Sequence, residues 1–343
     1  MGDNTAISWA DATINTNFGC TRVSAGCQNC YAEQVVAGLA RKMAAVNPKA
    51  AEFYGGLTKI TSGGPRWTSV VKLHEEHLLQ PLRWREGRRI FVNSLSDTFH
   101  ESLSFEQIAR VFAMAAAAPQ HTFMYLTKRP ERMAAFFKAV SLADVVDVAR
   151  TFVSFRSFQS KVATYDHLLS IKSNTWPLPS VWLGTSVESQ EVADERISHL
   201  VQAPAAIRFI SAEPLLTALD ISSHLLDGNL LSCPEVDMVG EVDACAGCPS
   251  GGPECAGEWE RPINWVICGA ESGPNHRPME MRWALDLRDQ CKTAGVAFFF
   301  KQDSSSKAGQ RPYLVESDGS HTTIQEFPAS KIDRTFNRKT FGV

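Results

Sequence analysis

Cys20, Cys27 and Cys30 form a C-x6-C-x2-C triplet inside FGCTRVSAGCQNCYAE, and thiolates so closely spaced bind soft metals. Three thiolates are one short of the four that a closed structural zinc site or an ordinary iron-sulfur cluster takes. A [4Fe-4S] cluster held by three cysteines keeps one iron open. That iron can chelate the amino and carboxylate groups of S-adenosylmethionine (SAM) before an electron breaks its C–S bond, which is the radical SAM arrangement. Two blander readings stand beside it. A zinc site would need a fourth ligand, and the next histidine is His74. Unliganded thiols in a loop made tight by Gly19 and Gly26 would need nothing more.

A second group, Cys233, Cys245, Cys248 and Cys255, gives C-x11-C-x2-C-x6-C in a stretch rich in Gly, Pro and acids. Four thiolates can close a tetrahedral site whose binding energy replaces the missing core. Zinc and a second, auxiliary [4Fe-4S] cluster both accept that set, and an unmetallated acidic loop is the remaining alternative. Cys268, in a predicted strand, and Cys291, on a predicted helix, read as small buried hydrophobes. Seven of the nine cysteines thus fall into two tight groups, which favours metal ligation over disulfides in a reducing compartment.

The net charge of −3 over 343 residues advertises no general affinity for phosphate backbones, without excluding nucleic acid. No apolar run approaches the roughly 18 residues of a membrane span. The start MGDNTAISWADAT lacks a basic region followed by an apolar one. A cytoplasmic chain with no membrane partner is expected.

The elements that must position the cysteines read as a βαβ rhythm. Short runs, apolar on both faces, recur at Arg89–Ser94, Thr122–Thr127, Val181–Ser186, Ile207–Ala212, Trp265–Gly269 and Val296–Lys301. A first strand is expected near Ile7–Thr13. Amphipathic helices are expected over Phe105–Ala118, Glu131–Val140, Gln190–Gln202 and Arg282–Ala294. About seven strands suit one α/β domain, a full or partial parallel (β/α) barrel, although periodicity alone also permits an open doubly wound sheet. Ser141–Pro179 reads as an insertion or lid, and Leu230–Pro262 as a metal-binding insertion. Polar residues gather where the runs end: Asn93, Ser94 and Asp97; Lys128 and Arg129; Ser186 and Glu188; Glu213; Glu271; Lys301. In parallel α/β folds that edge carries the site.

Read in order, ISWADATINTNFGCTRVSAGCQNCYAE, RWTSVVKLHEEHLLQPLRW, RRIFVNSLSDTFHE, YLTKRPERM, VWLGTSVESQ, RFISAEPLL, WVICGAESGPNHRPM and FFFKQ resemble the phage-associated three-cysteine-motif family. That family is regarded as radical-SAM-like and distantly similar to spore photoproduct lyase. The resemblance covers most of the chain and implies a radical SAM type barrel with the cluster in the loop after the first strand. The sequence departs from the usual C-x3-C-x2-C spacing, and Asn29 stands where an aromatic usually precedes the last cysteine.

On this reading Cys20, Cys27 and Cys30 bind three irons. SAM needs acceptors for its amine and hydroxyls and a cation for its carboxylate. Asn93, Ser94 and Asp97 are candidates for the amino-acid end, Lys128 or Arg129 for the carboxylate, and Ser186 with Glu188 for the ribose. Glu213, Glu271 and Lys301 are candidates for the substrate side. For each, a structural cap or an ordinary ion pair is the alternative. Arg83, Arg85, Arg88 and Arg89 around Trp84 suit phosphate or a solvated helix end. The expected function is hydrogen abstraction from a substrate, for which the resemblance suggests a nucleotide or nucleic acid, with an electron donor such as flavodoxin or ferredoxin. The alternative is a non-catalytic, zinc-stabilised module that binds nucleic acid or protein.

Overall fold

The computed structural model describes residues 5–152, 164, 166–171, 176–226, 229–232, 258–260 and 262–329. Seven strands make its main sheet: β1 (Ala12–Ile14), β2 (Arg89–Val92), β3 (Thr122–Thr127), β4 (Val181–Ser186), β5 (Ile207–Ala212), β6 (Trp265–Gly269) and β7 (Ala297–Gln302). They lie in the sheet in chain order, and every neighbouring pair is parallel. A chain that always steps the same way with right-handed crossovers leaves its helices on one face and curls the other inward. A doubly wound sheet would reverse its order part-way. The result is a curled parallel half-barrel, the partial form of the expected barrel. The outer edge of β7 is covered by 324–326, where Phe300 N donates to Ile324 O (2.8 Å) and Glu326 N to Phe298 O (3.1 Å).

Alternation along the strands builds two cores. Outward residues such as Ile90, Val92, Phe123, Tyr125, Leu183, Ile210, Val266 and Phe300 pack under the helices. Those helices are α3 (Phe105–Ala117), α4 (Pro130–Ala139), α5 (Leu142–Phe152), α6 (Gln190–Leu200) and α7 (Met281–Ala294); α1 and α2 lie in the lobe described below. α3 starts at a capping box in which Ser104 and Gln107 satisfy each other's backbone amides. Inward residues Phe91, Met124, Trp182, Phe209, Trp265 and Phe299 form an aromatic floor inside the curl. Gly184 leaves room for it, since a Cβ there would stand 2.5 Å from the Phe209 ring.

The first strand is shorter and later than expected. Residues 7–10 instead make a turn, with Ala10 N donating to Ile7 O (3.1 Å). The turn folds Trp9 onto the floor, 4.7 Å from the Phe91 ring centroid. Burying a whole indole outweighs two more residues of edge ladder. α5, at the start of the segment read as an insertion or lid, buries Leu142, Val145, Val146, Ala149 and Phe152 in the main core.

Between β1 and β2 the chain forms a separate lobe. It contains α1 (Tyr31–Val46), α2 (Pro48–Tyr54) and an antiparallel hairpin, Thr58–Thr61 with Gly64–Trp67. Its small core of Phe18, Ala32, Val36, Leu57, Trp67 and Leu95 packs directly against Cys20 and Cys30. Among the described residues no helix is long and apolar enough to cross a membrane.

Candidate metal and cofactor site

The cysteine loop leaves β1 and lies across the C-terminal edge of the sheet, held by strand ends far apart in sequence. At its root, Gly19 has φ +95°, and a Cβ there would fall 2.0 Å from the Val70 carbonyl oxygen, so glycine is required. Asn93, at the end of β2, is 3% exposed and adopts φ +64°. Its side-chain oxygen accepts from Thr16 N (2.7 Å), and its amide donates to Asn17 Oδ1 (2.5 Å) and Thr98 Oγ1 (2.7 Å). Asn93 therefore clamps the two strand ends together. Ser94 Oγ lies 3.3 Å from Asn15 Nδ2, and the Ser94 carbonyl accepts from the Tyr31 hydroxyl at 2.5 Å.

Three anchors follow along the loop. Beside Cys20, the buried Asp97 accepts from Thr127 Oγ1 (2.7 Å) and from Arg129 Nη1 (3.1 Å). Arg129 also donates to Glu101 (2.7 Å) and to the Thr21 carbonyl (3.1 Å), and its Nη1 stands 3.8 Å from Cys20 Sγ. Midway, Glu188 beyond β4 is 1% exposed; it accepts from Gly26 N (3.1 Å) and from Arg196 (3.1 Å). Near Cys30, Glu271 beyond β6 accepts from Asn29 Nδ2 (2.9 Å) and, in a fork, from Arg277 Nη2 (2.7 Å) and Nε (3.0 Å). Arg277 in turn reaches the Ala25 carbonyl (3.0 Å). Burial alone would raise the Glu271 carboxyl, but its bonds to Arg277 and Asn29 hold it below the ordinary range.

Cys20, Cys27 and Cys30 are half-buried free thiols. Cys20 is pushed up to about 12 by burial and by the charge of Asp97, against the pull of Arg129. Cys30 is raised chiefly by burial, offset by backbone amides of Glu33 and Ala32 at the start of α1. Ser24 Oγ, inside the loop, is buried with no hydrogen-bond partner. Among the described residues no group of three His, Cys, Asp or Glu side chains is arranged to hold a single metal ion. Cys233, Cys245, Cys248 and Cys255 lie outside the described residues.

The remaining candidates face the concave side. Lys301 Nζ donates to Glu213 Oε1 at 2.5 Å, from the ends of β7 and β5. Both side chains flank Gly269. Ser186, 2% exposed, lies beside Ser211 in the ladder, and neither hydroxyl has a partner among the described residues. The half-buried Lys128 offers its backbone amide to Asp97 (3.2 Å), and its ammonium has no partner among the described residues. Tyr31 is 56% exposed, with its hydroxyl tied to the Ser94 carbonyl, and desolvation, with smaller contributions from Cys30 and Glu213, holds its phenol high.

Every candidate outside the four-cysteine segment is therefore on one edge of the sheet, in two sets. Asn93, Ser94, Arg129, Glu188 and Glu271 hold the cysteine loop and residues 15–17 leading into it, with Asp97 acting through Arg129, whereas Lys128, Ser186, Glu213 and Lys301 lie on the concave side. Sequence reasoning did not find Arg196, Arg277 or Thr127, nor the role of Asn29 as a partner of Glu271. It also left Glu33 unremarked. Glu33 is 1% exposed, takes Arg22 (2.5 Å) and the Trp67 amide (3.0 Å), and ties α1 to the loop and the hairpin.

Comparison with known proteins adds one assignment. No curated protein and no solved structure matches the chain. Residues 4–338 match the family described as protein of unknown function (DUF5131), and with nearly its whole length covered the chain belongs to that family.

Proposed function

We propose that this chain is a radical SAM enzyme whose cluster is held by Cys20, Cys27 and Cys30. The observation that carries the reading is the seating of a three-thiol loop on the C-terminal edge of a sequentially wound half-barrel, its root held by Asn93 after β2 and the loop itself by Arg129 after β3, Glu188 after β4 and Glu271 after β6. The donor set fits the group. The thiols are soft, half-buried and in no disulfide among the described residues, and the orphaned Ser24 hydroxyl offers a donor to a sulfide-bearing ligand.

A [4Fe-4S] cluster held by Cys20, Cys27 and Cys30 would supply, once reduced, the electron that cleaves the SAM sulfonium to methionine and a 5′-deoxyadenosyl radical able to take a hydrogen atom from substrate. The chain's own residues hold and orient. Lys128 takes the methionine carboxylate, because Arg129 is already committed to Asp97, Glu101 and Thr21. Ser186 donates to the ribose. Glu213 and Lys301, neutralising each other beside Gly269, present a polar wall to the substrate. The aromatic floor closes the curl below and excludes water from the reacting centre. Nucleotides and nucleic acids are the substrate class suggested by the resemblance to a family regarded as distantly similar to spore photoproduct lyase, and the cysteine content favours a reducing compartment for the reaction.

Anaerobically reconstituted protein, given SAM and dithionite, is expected to form 5′-deoxyadenosine. Changing Cys20, Cys27 and Cys30 together to alanine should abolish the product and remove about four irons per chain. Product and iron unchanged in that variant would sink the proposal. A colourless, zinc-loaded wild type would replace it with the zinc-stabilised binding module.

A further inference from the structure

Charge is unevenly placed on this molecule. Residues 21–73, from the cysteine loop to the end of the hairpin lobe, hold Arg22, Arg41, Lys42, Lys49, Lys59, Arg66 and Lys72 against Glu33 and Glu52, in a chain of net charge −3. Arg22 and Arg66 face the buried Glu33, and Lys72 donates to the carbonyls of Glu52, Phe53 and Gly55. Arg41, Lys42, Lys49 and Lys59 are exposed and have no hydrogen-bond or ion-pair partner among the described residues. Cations left unpaired on an otherwise acidic protein make a local positive field that attracts anionic partners.

The same lobe exposes apolar surface. Tyr31 (56%), Val35 (42%), Val46 (68%), Ile60 (73%) and Val70 (44%) are all among the exposed large hydrophobics. Tyr31, Val35, Lys42 and Val46 recur at helical spacing on α1, a stripe about 22 Å long that starts at the cysteine loop. Because the lobe's core packs on Cys20 and Cys30, a partner lying on the stripe ends at the loop. Single-stranded nucleic acid favours cations interleaved with exposed aromatic platforms. Here Tyr31 is the sole exposed aromatic of the lobe, and its hydroxyl is tied to Ser94. Aliphatic spots among cations match a small, transient protein interface instead.

We infer that the lobe formed by α1, α2 and the hairpin is the docking face for a small acidic one-electron donor protein of the flavodoxin or ferredoxin class, delivering its electron at the cysteine loop. The inference rests on the proposed function. The donor is oxidised by one electron, which passes to the SAM-cleaving centre, and no bond or proton crosses the interface.

Calorimetric titration of an acidic flavodoxin into the full-length protein tests this without turnover. Charge reversal in K42E/K49E/K59E should weaken binding at low salt by about tenfold or more and remove most of its salt dependence. Neutralisation in K42Q/K49Q/K59Q should lie between. Thermal melting by circular dichroism checks that all three proteins fold alike. In turnover, 5′-deoxyadenosine formation driven by reduced flavodoxin should fall in the reversed variant while that driven by dithionite holds. Equal flavodoxin affinity in wild type and reversed variant overturns the docking face. Tight oligonucleotide binding lost in that variant, with no flavodoxin binding in either, overturns the choice of partner. Failure of dithionite in wild type would refute the enzyme reading alone, since the binding comparison does not depend on it.

Discussion

Arg129 and Lys128 are neighbours in sequence with opposite fates. Arg129 is 7% exposed and compensates the buried Asp97 while pinning the Thr21 carbonyl. Arg129→Ala strands a buried carboxylate, so a loss of about 3 kcal/mol in urea unfolding is expected. Arg129→Lys should recover little of it, because a point charge cannot reproduce the three-way fork. Lys128→Ala should change stability by no more than about 0.5 kcal/mol yet weaken SAM binding in a reconstituted sample. Similar destabilisation in both variants would show that Lys128 is structural after all. The cysteine triplet was legible because thiols at close spacing have few other uses. The division of the strand-end polar residues into loop anchors and lining residues was not. Glu271, Asn29 and Arg277 meet only after the fold brings β6 over the loop, and nothing local marks Glu188 as the acceptor for Gly26 N.

Among the elements, the segment following the hairpin carries a titratable latch. The rings of His74 and His77 stack at 3.5 Å, against Phe18 and Phe53, with His74 also near Glu76. His77 Nδ1–H donates to the Asn15 carbonyl at 2.6 Å, and His74 N donates to the Thr16 carbonyl at 2.7 Å. Burial lowers His77 to about 4, and it lowers His74 in the same direction. Neutral rings are thus favoured by the folded state. The His77 contribution is complete above the unfolded value near 6.5, is lost as pH falls from there towards about 4, and changes no further below. Discounted for partial exposure, it amounts to about 1–2 kcal/mol. Urea midpoints measured between neutral and acidic pH should show this loss, and His77→Gln should flatten it; an unchanged pH slope in that variant would refute the latch. Elements buried on both faces, such as Val181–Ser186 and Ile207–Ala212, were readable because short runs with apolar residues in both alternating positions, such as Val181, Trp182 and Leu183 or Phe209 and Ile210, fit a covered strand. The first strand was not, because Ile7 and Trp9 alternate like strand residues yet serve the floor of the curl. α5 was hidden within a stretch read as one insertion, although Leu142, Val145, Val146 and Ala149 follow a helical period.

At the scale of the whole molecule, one winding direction accounts for the placement of everything else. Helices cover the outer face, aromatics fill the floor, and the cysteine loop crosses the open edge with the basic lobe beside it. The parallel α/β sheet and its polar edge followed from the rhythm of the sequence, but the choice between a curled and a doubly wound sheet needed the strand order. The account stands or falls on an open-site cluster at the triplet, which electron paramagnetic resonance of the reduced, reconstituted protein reads directly. A variant with Cys245 and Cys248 changed to serine removes any contribution from the second cysteine group. In that variant about four irons per chain should remain, and adding SAM should shift the reduced signal as its amine and carboxylate occupy the open iron. An iron-sulfur signal indifferent to SAM, or no iron signal at all, would contradict the account.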